Sequence, residues 1–117
     1  GILLNNRMTG FSIEPGAANV VAPNKRPSHT LNPVVVLEND RVRYLMTTPG
    51  GPAQTMTNVQ VLTHMVDRGM ELMEAIEEPR WSLNLAGEIL LDEVNPNETA
   101  DKLVSMGFQS RRAAGAA

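Results

Sequence analysis

The apolar positions change period several times along the chain. Val34-Val35-Val36-Leu37 and Val42-Arg43-Tyr44-Leu45-Met46 are β-branched or apolar runs flanking Glu38-Asn39-Asp40, the pattern of a hairpin closed by a short polar turn. The first of these strands is apolar on both faces, which predicts a sheet covered on both sides, as in a layered arrangement of helices and strands. After Thr47-Thr48-Pro49-Gly50-Gly51-Pro52 the period becomes helical, with apolar residues at Met56, Val59, Leu62 and Val66 and a stop at Gly69. Pro52 suits the first helical turn, where its missing N–H costs nothing. A shorter amphipathic helix is expected from Glu71 to about Glu78, ended by Pro79. Two short strands follow, Trp81 to Leu85 and Glu88 to Leu91, turning at Ala86-Gly87. The last helix starts near Asn95-Pro96-Asn97-Glu98, with Asn95 or Asn97 as its cap, and buries Leu103, Val104 and Met106 before Gly107.

The flanks carry less pattern. From Ser12 to Pro33 the chain is dense in Pro, Gly, Asn and Ser, turn formers that fix or relax φ, so a long irregular segment is expected there. Loops of that length are uncommon inside domains and tend to line sites. Gly1-Ile2-Leu3-Leu4 is a strand-like apolar run that begins without a turn or cap, which points to sequence missing upstream. Arg111-Arg112-Ala113-Ala114-Gly115-Ala116-Ala117 has no core-facing pattern. The expected organisation is therefore one α+β unit over residues 1–108 and a flexible tail over 109–117.

Composition narrows the function classes. With 117 residues and 42% hydrophobic content the chain is at most one small domain or a piece of a larger one. A net charge of −3 and 3% aromatic residues supply neither the basic field nor the stacking platforms of a nucleic-acid binder. No apolar run approaches the roughly 20 residues of a membrane span, so a soluble chain with no membrane partner and no assignable compartment is expected. Without cysteine there is no disulfide framework and no thiolate metal site. Glu71, Glu74, Glu77 and Glu78 are spaced as a solvated helix face with no histidine at ligand spacing, and no metal or cofactor is expected. Met56, Met65, Met70 and Met73 read as core filling, His64 as a packed or half-exposed helix residue, and Arg80 as a partner for an acidic neighbour.

The junction from Thr48 to Pro52 carries the most chemistry. Two residues without side chains, placed where a strand bends into a helix, let successive backbone N–H groups face a ligand, and the helix dipole favours negative charge there. Pro-Gly-Gly taken alone is either a tight turn or a cradle for a carboxylate, a phosphate or a tetrahedral oxyanion. The order of motifs along the chain adds to this. Gly1-Ile2-Leu3-Leu4-Asn5-Asn6-Arg7-Met8-Thr9-Gly10-Phe11, Pro23-Asn24-Lys25-Arg26-Pro27, Thr30-Leu31-Asn32-Pro33, Thr48-Pro49-Gly50-Gly51 and Glu74-Ala75-Ile76-Glu77-Glu78-Pro79-Arg80 resemble, in sequence and succession, γ-glutamyltranspeptidases, over roughly residues 1–108.

The resemblance implies the C-terminal part of the small catalytic subunit of an N-terminal nucleophile hydrolase. The fold implied is a partial αββα sandwich, with a mixed or antiparallel sheet and covering helices. It also implies a self-cleaving precursor that exposes an N-terminal Thr, whose hydroxyl attacks an amide and whose own α-amine can act as base. That Thr would lie upstream of Gly1, so this chain alone is expected to be inactive, and Thr47 and Thr48 are read as structural. Gly50 and Gly51 correspond to the family's oxyanion-hole pair. Asn5, Arg7, His29 and Thr30 would shape the acyl pocket. The partners implied are a small acidic or peptide-like amide substrate and the remainder of the enzyme, the large subunit and the N-terminal part of the small one. Self-association of the chain is expected if that remainder is absent.

The sequence departs from the family pattern at two places. Typical members continue Asn-Asn-x-Met with Asp-Asp-Phe, and one of these carboxylates holds the glutamyl α-ammonium; here the positions are Thr9 and Gly10. The paired serines that bind the donor α-carboxylate correspond to His29 and Thr30. Thr30 retains a hydroxyl donor, while His29 is either an anion ligand when protonated or a loop histidine satisfied by backbone. The loop from Phe11 to Lys25 is also short for a lid. These changes resemble the branch of amidohydrolases and cephalosporin or glutaryl acylases, which act on acyl groups lacking an α-amine. The alternative from another class is a non-catalytic structural or interaction fragment of the same fold.

Overall fold

Asn39 and Asp40 both adopt left-handed φ, 50° and 61°, and this two-residue reversal joins strand β1 (Val34–Glu38) to β2 (Arg41–Met46) in an antiparallel hairpin. We describe the protein from a computed structural model, over residues 1–114. It divides into two units, Gly1–Leu31 and the remainder from Asn32.

The first unit is irregular, as the density of turn formers predicts. A 3-10 turn spans Arg7–Gly10. The loop beyond it is closed on itself: Ser12 N–H donates to Asn19 O at 2.9 Å and Val21 N–H to Ser12 O at 2.9 Å. Gly1 to Asn6 form no regular element, and Leu3 is fully exposed, so the strand-like run pairs with nothing among the described residues.

In the second unit, Val34 faces Met46 and Val36 faces Tyr44 on the half-buried side of the hairpin, and a bulge at Arg43 shifts the register towards the turn. The opposite side carries Val35, Leu37, Val42 and Leu45, all exposed. Among the described residues the expected covering of both faces is thus realised on one face.

A 3-10 turn at Gly51–Ala53 leads into α1 (Gln54–Asp67), which ends where Gly69 takes φ 67° and Met70 N–H reaches back to His64 O at 3.2 Å. Helix α2 (Leu72–Glu77) starts with a capping box in which Glu71 N–H donates to Glu74 at 3.1 Å. Glu78 pairs with Arg68 at 3.2 Å. These carboxylates therefore cap and pair at the surface.

Strands β3 (Trp81–Leu83) and β4 (Ile89–Leu91) form a second antiparallel hairpin. After α3 (Asn97–Ser105) the chain returns as β5 (Ser110–Arg112), parallel to β4, giving a three-stranded mixed sheet. The expected tail is corrected here, since an edge strand is held by its backbone and needs no apolar pattern; Ala113 N–H still donates to Leu91 O at 2.9 Å. Residues 115–117 of that expected tail lie outside the described residues. The cap of α3 also differs. Pro96 occupies the cap position without a side-chain bond, and Asn95 instead donates to Arg80 O at 3.1 Å. Leu103 is half-buried, whereas Val104 and Met106 are exposed, because α3 lies over the sheet by a narrow stripe.

The architecture is the α+β type expected, two small sheets with helices beside them. Its core is thin: among the described residues Val61, Ala75 and Leu91 are the buried apolar side chains. No helix among the described residues is long and apolar enough to cross a membrane.

Candidate active site

The corner after β2 is shaped by φ. Gly50 has φ 129° and Gly51 φ 56°, conformations that L side chains rarely adopt, and Pro52 follows inside the 3-10 turn. Both glycine carbonyls turn into the helix start: Gly50 O accepts from Ala53 N–H at 3.0 Å, and Gly51 O from Gln54 N–H. The N–H groups of Gly50 and Gly51 have no acceptor among the described residues. They belong to the orphan donors of a helix start, where the dipole adds partial positive charge. The positions their missing side chains would take are uncrowded. A Cβ built on Gly51 would meet nothing within 4 Å, and one on Gly50 only Ala53 Cβ at 3.8 Å and Gln54 N at 3.9 Å.

Beside this corner lies an open cavity of about 410 Å³. Thr47, Thr48, Thr57, Asn58 and Arg80 give it a polar rim, and Val61, Leu72 and Ile76 are among its apolar lining residues. Gly50 and Gly51 are not part of its wall. Thr48 Oγ1 donates to the Pro49 carbonyl at 3.1 Å, a local bond that fits the structural role expected for it. Arg80 donates to the Ile76 carbonyl.

Helix α1 buries a face that apolar periodicity misses. Val59 and Val66, expected inside, are exposed, whereas Gln54, Thr57 and Asn58 are buried with Val61. Gln54 Oε1 accepts Asn32 N–H at 3.0 Å, and Asn58 Nδ2 donates to Asn32 O at 2.8 Å. Farther along, Gln60 holds Trp81 in the same two-handed way, donating to its carbonyl at 2.8 Å and accepting its N–H at 3.0 Å. The only sequence signal for these clamps is a set of amide side chains at turn spacing on one helix. His64 is half-buried with Nδ1 lacking a partner among the described residues, Met56, Met65 and Met70 are half-buried, and Met73, expected in the core, is exposed.

The remaining site candidates lie in the first unit. Asn5 Oδ1 accepts the Arg7 N–H at 3.0 Å, and the Arg7 guanidinium donates to Asn6 Oδ1 at 2.9 Å, so these two residues are brought together by local bonds. Thr9 Oγ1 donates to Asn6 O at 2.9 Å. A side chain at Gly10 would be crowded, because its Cβ would stand 3.0 Å from the Ser28 carbonyl oxygen. His29 is exposed and Thr30 half-buried, and neither has a hydrogen-bond partner among the described residues.

Comparison with known proteins gives the family. The gamma-glutamyltranspeptidase family model matches residues 1–116. The glutathione hydrolase proenzyme of Bacillus subtilis is 35% identical over 109 residues, 93% of this chain and 19% of that protein. The chain thus spans about a fifth of the length of such curated relatives. A solved Helicobacter pylori gamma-glutamyltranspeptidase mutant superposes with TM-score 0.82 at 33% identity, over 97% of this chain and 67% of that one. The cephalosporin acylase from Bacillus halodurans gives TM-score 0.82 at 29% identity, over 97% of this chain and 21% of that one. This chain belongs to the gamma-glutamyltranspeptidase family.

Proposed function

We propose that this chain contributes the oxyanion-stabilising corner of a longer enzyme that cleaves an amide through an acyl-enzyme. The observation that carries the reading is the Gly50–Gly51 pair: two backbone donors with no acceptor among the described residues, at left-handed φ before a helix start. In the step inferred, the hydroxyl of an N-terminal Thr outside this chain adds to the amide carbon as its proton passes to that residue's amine. The carbonyl oxygen becomes an oxyanion, and the N–H groups of Gly50 and Gly51 donate hydrogen bonds to it. Collapse expels the amine with the proton, and water then attacks the ester to release the acid; transfer to a second amine is the other outcome.

Thr9 and Gly10 favour an acyl donor without an α-ammonium. No carboxylate stands at either position, and Gly10 is crowded by backbone. A γ-glutamyl donor would lose the charged partner that holds its ammonium, whereas a glutaryl-type donor needs none. Asn5, Arg7, His29 and Thr30 are read as the acyl-pocket residues. The remainder of the enzyme, the large subunit and the start of the small one, is read as the partner.

The test is Gly51→Val in the complete enzyme. A β-branched residue is strained at φ 56°, so the amide swings away and one oxyanion donor is lost. The expected result is a fall in kcat of about a hundredfold. Unchanged kcat in a folded, processed variant removes the assignment.

A further inference from the structure

Gln54 and Asn58 sit one turn apart on α1, and both are buried, at 5% and 4% exposure, although neither is apolar. They spend their amides on a single residue: Asn32 gives its N–H to Gln54 at 3.0 Å and receives Asn58 Nδ2 on its carbonyl at 2.8 Å. One helix face thus grips both hydrogen-bonding groups of Asn32, as a neighbouring strand would.

Two residues later Val34 pairs with Met46, the last residue of β2 before the corner. The segment from Thr47 to Ala53 is therefore a loop with both feet tied to the same short stretch. Met46 is tied through Val34, and the first turns of α1 through Asn32. Thr57 Oγ1 tightens the exit by donating to Ala53 O at 3.2 Å. Gly50 and Gly51 carry no side chains to anchor the loop, so the direction of their N–H groups is set by these feet.

We infer that Gln54 and Asn58 are positioning residues for the Gly50–Gly51 donors. The role rests on reading that pair as oxyanion donors. Oxyanion donors act only when aimed at the place where charge develops, and a small misplacement removes their effect in the transition state while leaving substrate binding alone.

The experiment uses the complete enzyme. Gln54→Met and Asn58→Leu keep side-chain volume and each removes one bond to Asn32. Each is expected to lower kcat about tenfold or more while KM for the acyl donor changes less than about threefold, the pattern of an interaction felt in the transition state. Amide-to-acid exchange gives a second readout. Gln54→Glu keeps an acceptor for Asn32 N–H, whereas Asn58→Asp sets an acceptor against the Asn32 carbonyl. The loss of kcat is therefore expected to be at least about tenfold greater at 58 than at 54, although both positions are equally buried. This contrast, measured at a temperature where both acids show native circular dichroism, carries the test if the apolar variants fold poorly. Equal losses for the two acids, or normal kcat in folded Gln54→Met and Asn58→Leu, overturn the inference. If those variants are normal while Gly51→Val is impaired, the clamp alone falls; if Gly51→Val keeps its kcat, the oxyanion reading fails and takes the clamp with it.

Discussion

Restoring a carboxylate at position 10 should damage the protein before it helps a substrate. A Cβ on Gly10 would lie 3.0 Å from Ser28 O, 3.4 Å from Ser28 N and 3.6 Å from Pro27 Cβ, and two of these three neighbours are backbone atoms that cannot rotate aside. Replacing glycine at an ordinary φ stabilises by up to about 1 kcal/mol through the unfolded chain, but forced overpacking costs about 1–3 kcal/mol. The crowding wins, and Gly10→Ala should lose about 1 kcal/mol. Gly10→Asp should lose more, about 2–3 kcal/mol, because its carboxylate crowds the Ser28 carbonyl, acceptor against acceptor. Thr9 offers the contrast: it is exposed and gives up only one surface hydrogen bond, to Asn6 O. Thr9→Asp should be nearly neutral in stability. If a carboxylate there meets an α-ammonium, the charge-assisted bond of about 1.5–3 kcal/mol should raise kcat/KM for a γ-glutamyl anilide by roughly tenfold to a hundredfold, leaving the glutaryl anilide unimproved. Urea unfolding midpoints and paired anilide kinetics on the complete enzyme measure both effects. A Gly10→Asp variant as stable as its parent, and a better user of the γ-glutamyl donor than Thr9→Asp, would refute the steric reasoning.

Three further outcomes are expected. Gln60→Met removes both bonds to the Trp81 peptide, which sits near solvent, so the loss should be about 1–2 kcal/mol by urea denaturation, and a value near zero would mean that water replaces the clamp. The chain expressed without the rest of the enzyme should self-associate through the open hairpin face, and Leu37→Lys with Leu45→Lys should shift it towards monomer in sedimentation velocity; an unaltered distribution would place the contact elsewhere. Gly87→Ala, at φ 81° in the turn between β3 and β4, should cost about 1 kcal/mol in the same denaturation assay despite having nothing within 4 Å, since the penalty is conformational; a stabilised variant would contradict this.

Much of the second unit was legible in the sequence because local chemistry and tertiary placement agree there. Glu38-Asn39-Asp40 between two β-branched runs, Pro52 at a helix start, Gly69 at its end and Pro79 after the next helix each act through their own backbone, and each element formed where expected. What stayed hidden depends on partners distant in sequence. The buried face of α1 is polar because Gln54, Asn58 and Gln60 satisfy peptides at Asn32 and Trp81, and a count of apolar positions selects Val59 and Val66 instead. Strand β5 escaped notice because Ser110-Arg111-Arg112 join a sheet edge by backbone alone. At the corner, the glycine pair was readable from the motif. Its left-handed backbone, and the crowding a side chain would meet at Gly10, required coordinates.

The most direct measurement is a crystal structure of the complete enzyme with a boronate bound to its nucleophilic hydroxyl, a tetrahedral anion that imitates the transition state. The account predicts one boronate oxygen at about 2.7–3.1 Å from the backbone nitrogens of both Gly50 and Gly51. An oxygen held by other donors, with these two amides pointing away or capped by protein, would contradict it.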